Sequence, residues 1–266
     1  MHYEIYGQGQ PIYFIHGHGL SLVSMVETYE KIFSALSNYQ RIYIDLPGMG
    51  LSVADYQLDS SHAIAKSLVE LIKSLTPDDQ IILFGHSYGG YLSLAINYLM
   101  PERIKKIFLT CPPVKAIKEE RELAEHKNVC FSEFEIDPKY AKAYYNMSVV
   151  ISPETLRRYQ RISLPGIEVF DSDYDKFLQR EDQRYLKLPF EAEMYALDPQ
   201  LCLILGRNDQ IVGFKDQIKA FIDKDNASIY LIENAGHNIM IDQLDFVRDS
   251  AKVFLTDQID DEGTNP

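Results

Sequence analysis

The chain is short of cysteine, of cationic residues and of long apolar runs, and each shortage removes a class of protein. Its three cysteines, Cys111, Cys130 and Cys202, are scattered and odd in number, which suits neither a disulfide framework nor the spacing of a zinc site. They read as buried thiols, as a reducing compartment allows. Twenty-six Lys and Arg stand against 39 Asp and Glu, and the net charge of -13 would repel a phosphate backbone. Nucleic acid is not expected as a partner. No apolar stretch approaches the roughly 18 residues that cross a bilayer, and Met1 to Phe14 lack the basic start and apolar run of a secretory leader. No membrane partner is expected, and the expected location is cytoplasmic. Walker-type phosphate loops, internal repeats and low-complexity tracts are also missing. Nothing calls for a nucleotide, flavin or metal, so no cofactor is expected.

What is present is ordinary globular material. With 46% hydrophobic and 24% charged residues, the chain of 266 is neither disordered nor fibrous, and its length suits one α/β domain carrying an insertion. Short β-branched runs at Pro11–His16, Arg41–Ile44, Ile81–Phe84, Ile104–Thr110, Leu201–Leu205 and Ser228–Ile232 read as strands, with His2–Tyr6 as a further edge strand. Between them apolar residues recur at helical steps: Leu22 to Leu36, Ile64 to Leu75, Ser87 to Met100, Phe214 to Ile222 and Ile241 to Phe254. Alternating strands and helices predict a doubly wound, mostly parallel α/β sheet.

The alternation breaks between Pro112 and Asp198. Stretches such as Lys118–Glu125 and Tyr140–Tyr145 read helical there, without clear strands. The expected organisation is a core of residues 1–111 and 199–256, an inserted helical cap at 112–198, and a frayed acidic tail at 257–266.

Gly85-His86-Ser87-Tyr88-Gly89 follows a predicted strand and opens a predicted helix, the setting of a nucleophile elbow. Glycines must bracket the serine because the turn leaves no room for side chains. A serine hydroxyl needs a base. Of seven histidines only His237, just after the last strand, sits in a loop expected at the same sheet edge. Asp209, after the strand Leu201–Leu205, is the candidate for the acid that orients the imidazole, although an aspartate after Gly-Arg-Asn also fits a turn residue bonding its own backbone. Oxyanion donors are expected from the backbone N–H groups of Tyr88 and of His18, in His16-Gly17-His18-Gly19. His16 and His18 invite a metal reading, but no carboxylate or cysteine stands at ligand spacing beside them.

Together these motifs resemble the large α/β-hydrolase family, in its capped esterase and prolyl-iminopeptidase-like branch. The matching residues are His16 to Gly19, Asp45-Leu46-Pro47-Gly48-Met49-Gly50-Leu51-Ser52, the elbow around Ser87, Gly206 to Val212 with Asp209, and Gly236-His237. The resemblance implies an α/β-hydrolase fold and a Ser-Asp-His serine hydrolase acting on a small molecule. A carboxylesterase-like enzyme for small or medium acyl esters is the expected function. Two alternatives stand beside it. An iminopeptidase-like enzyme, in that family, holds the substrate ammonium with cap carboxylates, for which Glu119, Glu120, Glu122, Glu125, Glu133 and Glu135 are candidates. Lys118, Arg121 and Lys127 are expected to neutralise them at helical spacing. A non-catalytic ligand-binding member of the fold is the other. The cap aromatics Tyr140, Tyr144, Tyr145, Phe170 and Phe177 are candidates for an apolar acyl pocket.

Overall fold

A computed structural model describes residues 1–130, 134–180 and 184–256. In chain order the first part contains β1 (Tyr3–Tyr6), β2 (Gln10–Ile15), α1 (Leu22–Tyr29), β3 (Tyr39–Ile44), α2 (Ser61–Leu75), β4 (Ile81–His86), α3 (Tyr88–Leu99) and β5 (Ile104–Thr110). The insertion follows with β6 (Val129–Cys130), α4 (Pro138–Met147), β7 (Val150–Ile151), α5 (Pro153–Ile162), α6 (Leu164–Ile167) and α7 (Ser172–Leu178). The chain then returns through β8 (Leu201–Gly206), α8 (Lys215–Phe221), β9 (Ala227–Ile232), α9 (Ile239–Asp242) and α10 (Leu244–Thr256).

The main sheet runs β1-β3-β2-β4-β5-β8-β9. Only β1 is antiparallel, at the edge beside β3. The fold is thus the doubly wound, mostly parallel α/β class that the alternation predicts. β4 and β8 are buried at every position because helices cover both faces. Side chains alternate between the two layers. Tyr13 and Ile15 pack with α2 and α3 residues such as Leu68 and Leu92, while Ile12 and Phe14 pack with Met25 of α1 and Val247 of α10. On the second face the register aligns Tyr43, Phe14, Phe84 and Phe108 across four strands, with ring centroids 4.4, 5.0 and 4.8 Å apart.

Because the parallel strands share a direction, their carboxyl ends meet at one edge. His16, Asp45, Ser87, Cys111, Asp209 and His237 all lie just beyond strand ends at that edge.

Several local expectations are corrected. Helix α1 stops at Tyr29 and a 3-10 coil continues to Ala35; the Glu30 carboxylate turns to Arg41 and the Tyr43 hydroxyl on β3. Lys118–Glu125 is not a helix beyond the 3-10 turn Lys118–Glu120. Arg121 there donates to the carbonyls of Lys115, Ala116 and Ile211, and the Glu122 and Ala124 amides bond Asp216 and the Asp209 carbonyl. Amides taken by distant partners cannot build an i to i−4 ladder. The insertion also carries a parallel two-residue strand pair, β6 with β7, too short for alternation to announce it. Cys111 and Cys202 are buried, but Cys130 is exposed, on the outer side of β6. The final helix is two, α9 and α10, broken at Gln243. The tail 257–266, together with Glu133, lies outside the described residues.

Candidate active site

Ser87 stands between β4 and α3 with φ 50° and ψ −120°, a conformation that a residue with a Cβ adopts only under strain. Its neighbours show why the turn needs glycine. A Cβ at Gly85 would lie 2.6 Å from the Gly90 Cα, and one at Gly89 would lie 2.1 Å from the Ile15 carbonyl oxygen. The Ser87 amide donates to the Thr110 carbonyl on β5 at 2.9 Å, which anchors the turn to the neighbouring strand.

The three residues singled out as nucleophile, base and acid are brought together. His237 Nε2 lies 2.8 Å from Ser87 Oγ, and His237 Nδ1 lies 2.9 Å from Asp209 Oδ2. With Nδ1–H donating to the carboxylate, Nε2 is free to accept the serine proton. All three side chains are buried. Both readings of Asp209 hold, one for each oxygen: Oδ2 faces the imidazole, while Oδ1 accepts the Ile211 and Val212 amides at 2.9 Å. These donors offset the burial of a charge.

His86 sits beside Ser87 but turns its Nδ1 to Thr110 Oγ1, and burial, then the nearby His237, pushes its pKa well down. His16 is held by its own loop: Nδ1–H donates to the Gly17 carbonyl and Nε2 accepts the Leu46 amide. Its pKa is pushed down to about 4 by burial. His18 goes elsewhere, to Asp175 of α7, at 2.7 Å. The two histidines therefore do not converge on a common point.

Tyr88 opens α3, so its amide belongs to the helix N-terminal set that has no carbonyl partner within the helix. Gly17 crosses close to the serine; a Cβ there would lie 3.1 Å from Ser87 Cβ. That approach brings the His18 loop to the side of Ser87. Asp45 explains the turn from Asp45 to Ser52. Its carboxylate accepts the Leu22 and Leu51 amides and meets His2 Nδ1, so one buried side chain joins two loops at the sheet edge.

Three neighbours of the site were not legible in the sequence. Cys111 follows β5 with φ 46°, and its Sγ donates to the Gly236 carbonyl at 3.7 Å. Burial, then the charge of Asp209, pushes its pKa well up, so it stays a thiol. Cys111, Asp209 and His237 bring donor atoms within 4.8 Å of one another. A protonated thiol and an Nδ1 already bonded to the carboxylate form a hydrogen-bonded network rather than a metal donor set. Asp175 meets His18 and Gln179. Asp242, buried behind His237, is the third.

The insertion reaches this edge in several places. Asp171 donates its amide to the Gly48 carbonyl, and Phe170 lies edge-on to His18 with centroids 5.2 Å apart. Elsewhere Ala124 and Asn146 bond the loop that carries Asp209. Of the five aromatics considered for an acyl pocket, Phe170 is the one that meets the His16–Gly19 loop, at the His18 ring. Tyr144 is buried with Tyr140 and Tyr159 in a small cluster that the insertion shares with Ile241 of α9, Tyr145 is exposed, and Phe177 packs with Tyr56 and Arg180. Glu120 and Glu122 are neutralised, but by Lys187, Lys215 and Lys219 rather than by helical neighbours. A cavity of about 330 Å³ between α1, α5 and α10, lined by Glu27, Arg158 and Arg248 among others, contains none of the triad. Among the described residues no helix is long and apolar enough to cross a membrane.

Comparison with known proteins agrees with this fold. Residues 12–249 match the alpha/beta hydrolase family. An alpha/beta superfamily hydrolase from Oenococcus oeni PSU-1 superposes with a TM-score of 0.90 at 33% identity, covering 95% of this chain and 94% of that one. A thermophilic esterase from Thermogutta terrifontis shares the fold, with a TM-score of 0.70 at 20% identity, covering 96% and 92%. The 2-hydroxy-6-oxo-2,4-heptadienoate hydrolase of Pseudomonas putida F1 is 21% identical over 248 residues, 89% of this chain and 86% of its own.

Proposed function

Because the chain belongs to the alpha/beta hydrolase family, we propose that it is a serine hydrolase that forms an acyl-enzyme at Ser87 and takes a small or medium acyl ester. The observation that carries this reading is the continuous chain Asp209–His237–Ser87 on a strained elbow. Ser87 Oγ attacks the ester carbonyl as its proton passes to His237 Nε2, and Asp209 stabilises the imidazolium that results. The carbonyl oxygen becomes an oxyanion facing the amides of His18 and Tyr88, each such donor being worth roughly 100- to 1,000-fold in rate. Collapse releases the alcohol, protonated by His237. Water then repeats the sequence and frees the acid.

Residues 112–198 act in this reading as the cap over the site, with Phe170 presenting an apolar surface beside His18. Ester preference is supported by the engagement of Glu120 and Glu122 with core and surface lysines. A cytoplasmic setting is supported by the buried Cys111 and Cys202 thiols. A second reading, hydrolysis of a carbon–carbon bond, rests on the similarity over most of its length to the heptadienoate hydrolase.

A fluorophosphonate probe tests the nucleophile. We expect a single adduct, at Ser87, and loss of both labelling and turnover in Ser87→Ala. An adduct on another serine would refute the assignment. A panel of acyl esters and a 2-hydroxy-6-oxo-dienoate then separates the two substrate readings.

A further inference from the structure

Asp242 ends α9, five residues after His237, and is buried. Its carboxylate accepts three backbone amides, one from its own loop and two from a remote segment. Oδ2 accepts Gly236 N–H, immediately before the base, at 2.9 Å. Oδ1 accepts Val149 and Val150 N–H, at the start of β7 in the insertion, at 2.9 Å each. The contact continues in packing, since a Cβ added at Gly236 would meet Val149 Cγ2 at 3.0 Å. The Val149 carbonyl in turn accepts the Val129 amide of β6.

Three amides pointing at one buried carboxylate is a demanding arrangement. An ionised carboxylate offers strong, charge-assisted acceptors to all three, whereas a protonated one carries a hydroxyl that must itself donate and whose oxygen is a much weaker acceptor for the amide facing it. We propose that Asp242 is a positioning residue for His237, clamping the loop that carries the base to the insertion's short strand pair, so that the cap and the base are set in place by one ionised group. The proposal rests on the reading of Ser87 and His237 as nucleophile and base.

The clamp has a pH dependence. Burial pushes the Asp242 pKa up to about 6, despite its bonds to Gly236, Val150 and Val149. The groups around it come from every neighbouring element. His126 of the insertion opposes the rise. Tyr144 of α4 and Cys111 after β5 both feel its charge. Arg158 of α5 is one residue away, on the Ile241 carbonyl. As pH falls through about 6, Asp242 takes up a proton, its bonds to the three amides lose their charge assistance, and the hold on the loop carrying His237 weakens. Activity then has two reasons to fall in acid: protonation of the base itself and protonation of the group that holds it.

The experiment uses the full chain as wild type, Asp242→Asn and Asp242→Glu, with p-nitrophenyl butyrate as substrate and circular dichroism to follow folding. Asn keeps the shape but offers one acceptor oxygen, so one arm of the clamp must open. We expect kcat to fall by roughly tenfold or more, as a misplaced catalytic group does, with a smaller change in KM. Glu restores a carboxylate and should recover part of the lost kcat. The acid limb of kcat should be drawn by two protons in wild type, steeper than about one decade per pH unit, and by one in Asp242→Asn. Wild-type kcat and acid limb retained in a folded Asp242→Asn would overturn the proposal. If that variant does not fold, the wild-type limb decides: one proton overturns the clamp, two support it. Fluorophosphonate labelling of wild type at Ser87 is read in parallel. Its absence would mean that the triad reading has failed, which is distinct from failure of the clamp.

Discussion

At the scale of single residues, the site is a chain of protons with one assigned direction. Asp209 Oδ1 is occupied by the Ile211 and Val212 amides, so only Oδ2 is left for the histidine. In Asp209→Asn the turn amides keep the carbonyl oxygen and the NH2 is presented to His237. That favours Nδ1 as acceptor and leaves Nε2 carrying the proton, the wrong tautomer to receive one from Ser87. His237→Ala removes the base altogether. We expect His237→Ala to lose on the order of 10⁴-fold or more in kcat, Asp209→Asn to lose less, and the double variant to lose no more than the histidine variant, because the residues act as a unit. Additive losses in kcat would contradict the shared network. That Ser87, His237 and Asp209 would meet was legible in the sequence because this fold places each of these candidates after a strand, in a fixed chain order. Cys111, Asp175 and Asp242 were not, since each depends on a partner 92 to 157 positions away that only tertiary packing brings near: Gly236 for Cys111, His18 for Asp175, and Val149 and Val150 for Asp242.

At the scale of elements, the elbow is only as well placed as the strand that ends in it. β4 is buried throughout, and its Phe84 lies between Phe14 and Phe108 in the aromatic row across the sheet. Each such ring contact adds about 0.5–1.5 kcal/mol beyond the area it buries. Phe108 meets Phe84, Tyr29 and Phe254, so it links β5 to β4, α1 and α10 at once. Phe108→Ala should therefore lower stability by about 3–5 kcal/mol, measured by urea unfolding followed by circular dichroism. A loss below about 1 kcal/mol would mean that the row fills space without holding the strands. The strands were legible because a parallel sheet covered on both faces needs continuous apolar runs. The residues of 118–125 misled for a physical reason: helical spacing of charges gives a weak preference of a few tenths of a kcal/mol per pair. Hydrogen bonds from Arg121 to the Ile211 carbonyl and from the Glu122 amide to Asp216 outweigh it.

At the scale of the whole molecule, net charge and the carboxylates of residues 112–198 together bear on the proposed substrate class. A net charge of -13 attracts a cationic aminoacyl compound into the neighbourhood of the protein. Attraction at long range raises encounter but does not hold an ammonium in register with the serine. That requires a carboxylate close to Ser87 and not already neutralised. Glu122 lies against Lys215 and Lys219, and their hydrogen bonds hold its pKa down to about 2. Asp175 of α7 is a carboxylate that reaches the His16–Gly19 loop, through His18. Burial works to raise its pKa, yet the hydrogen bond and charge of His18, with the Gln179 amide, keep it below the usual range. It is thus an anion with partners in place, and an ammonium would have to displace one of them. We expect kcat/KM for a butyrate ester to exceed that for a prolyl or alanyl anilide of matched leaving group, with the anilide rate falling as salt screens the field and the ester rate holding steady. If the anilide is instead turned over faster, and Asp175→Asn removes that advantage while ester turnover persists, the cap is built to hold an ammonium and the aminopeptidase reading replaces the esterase.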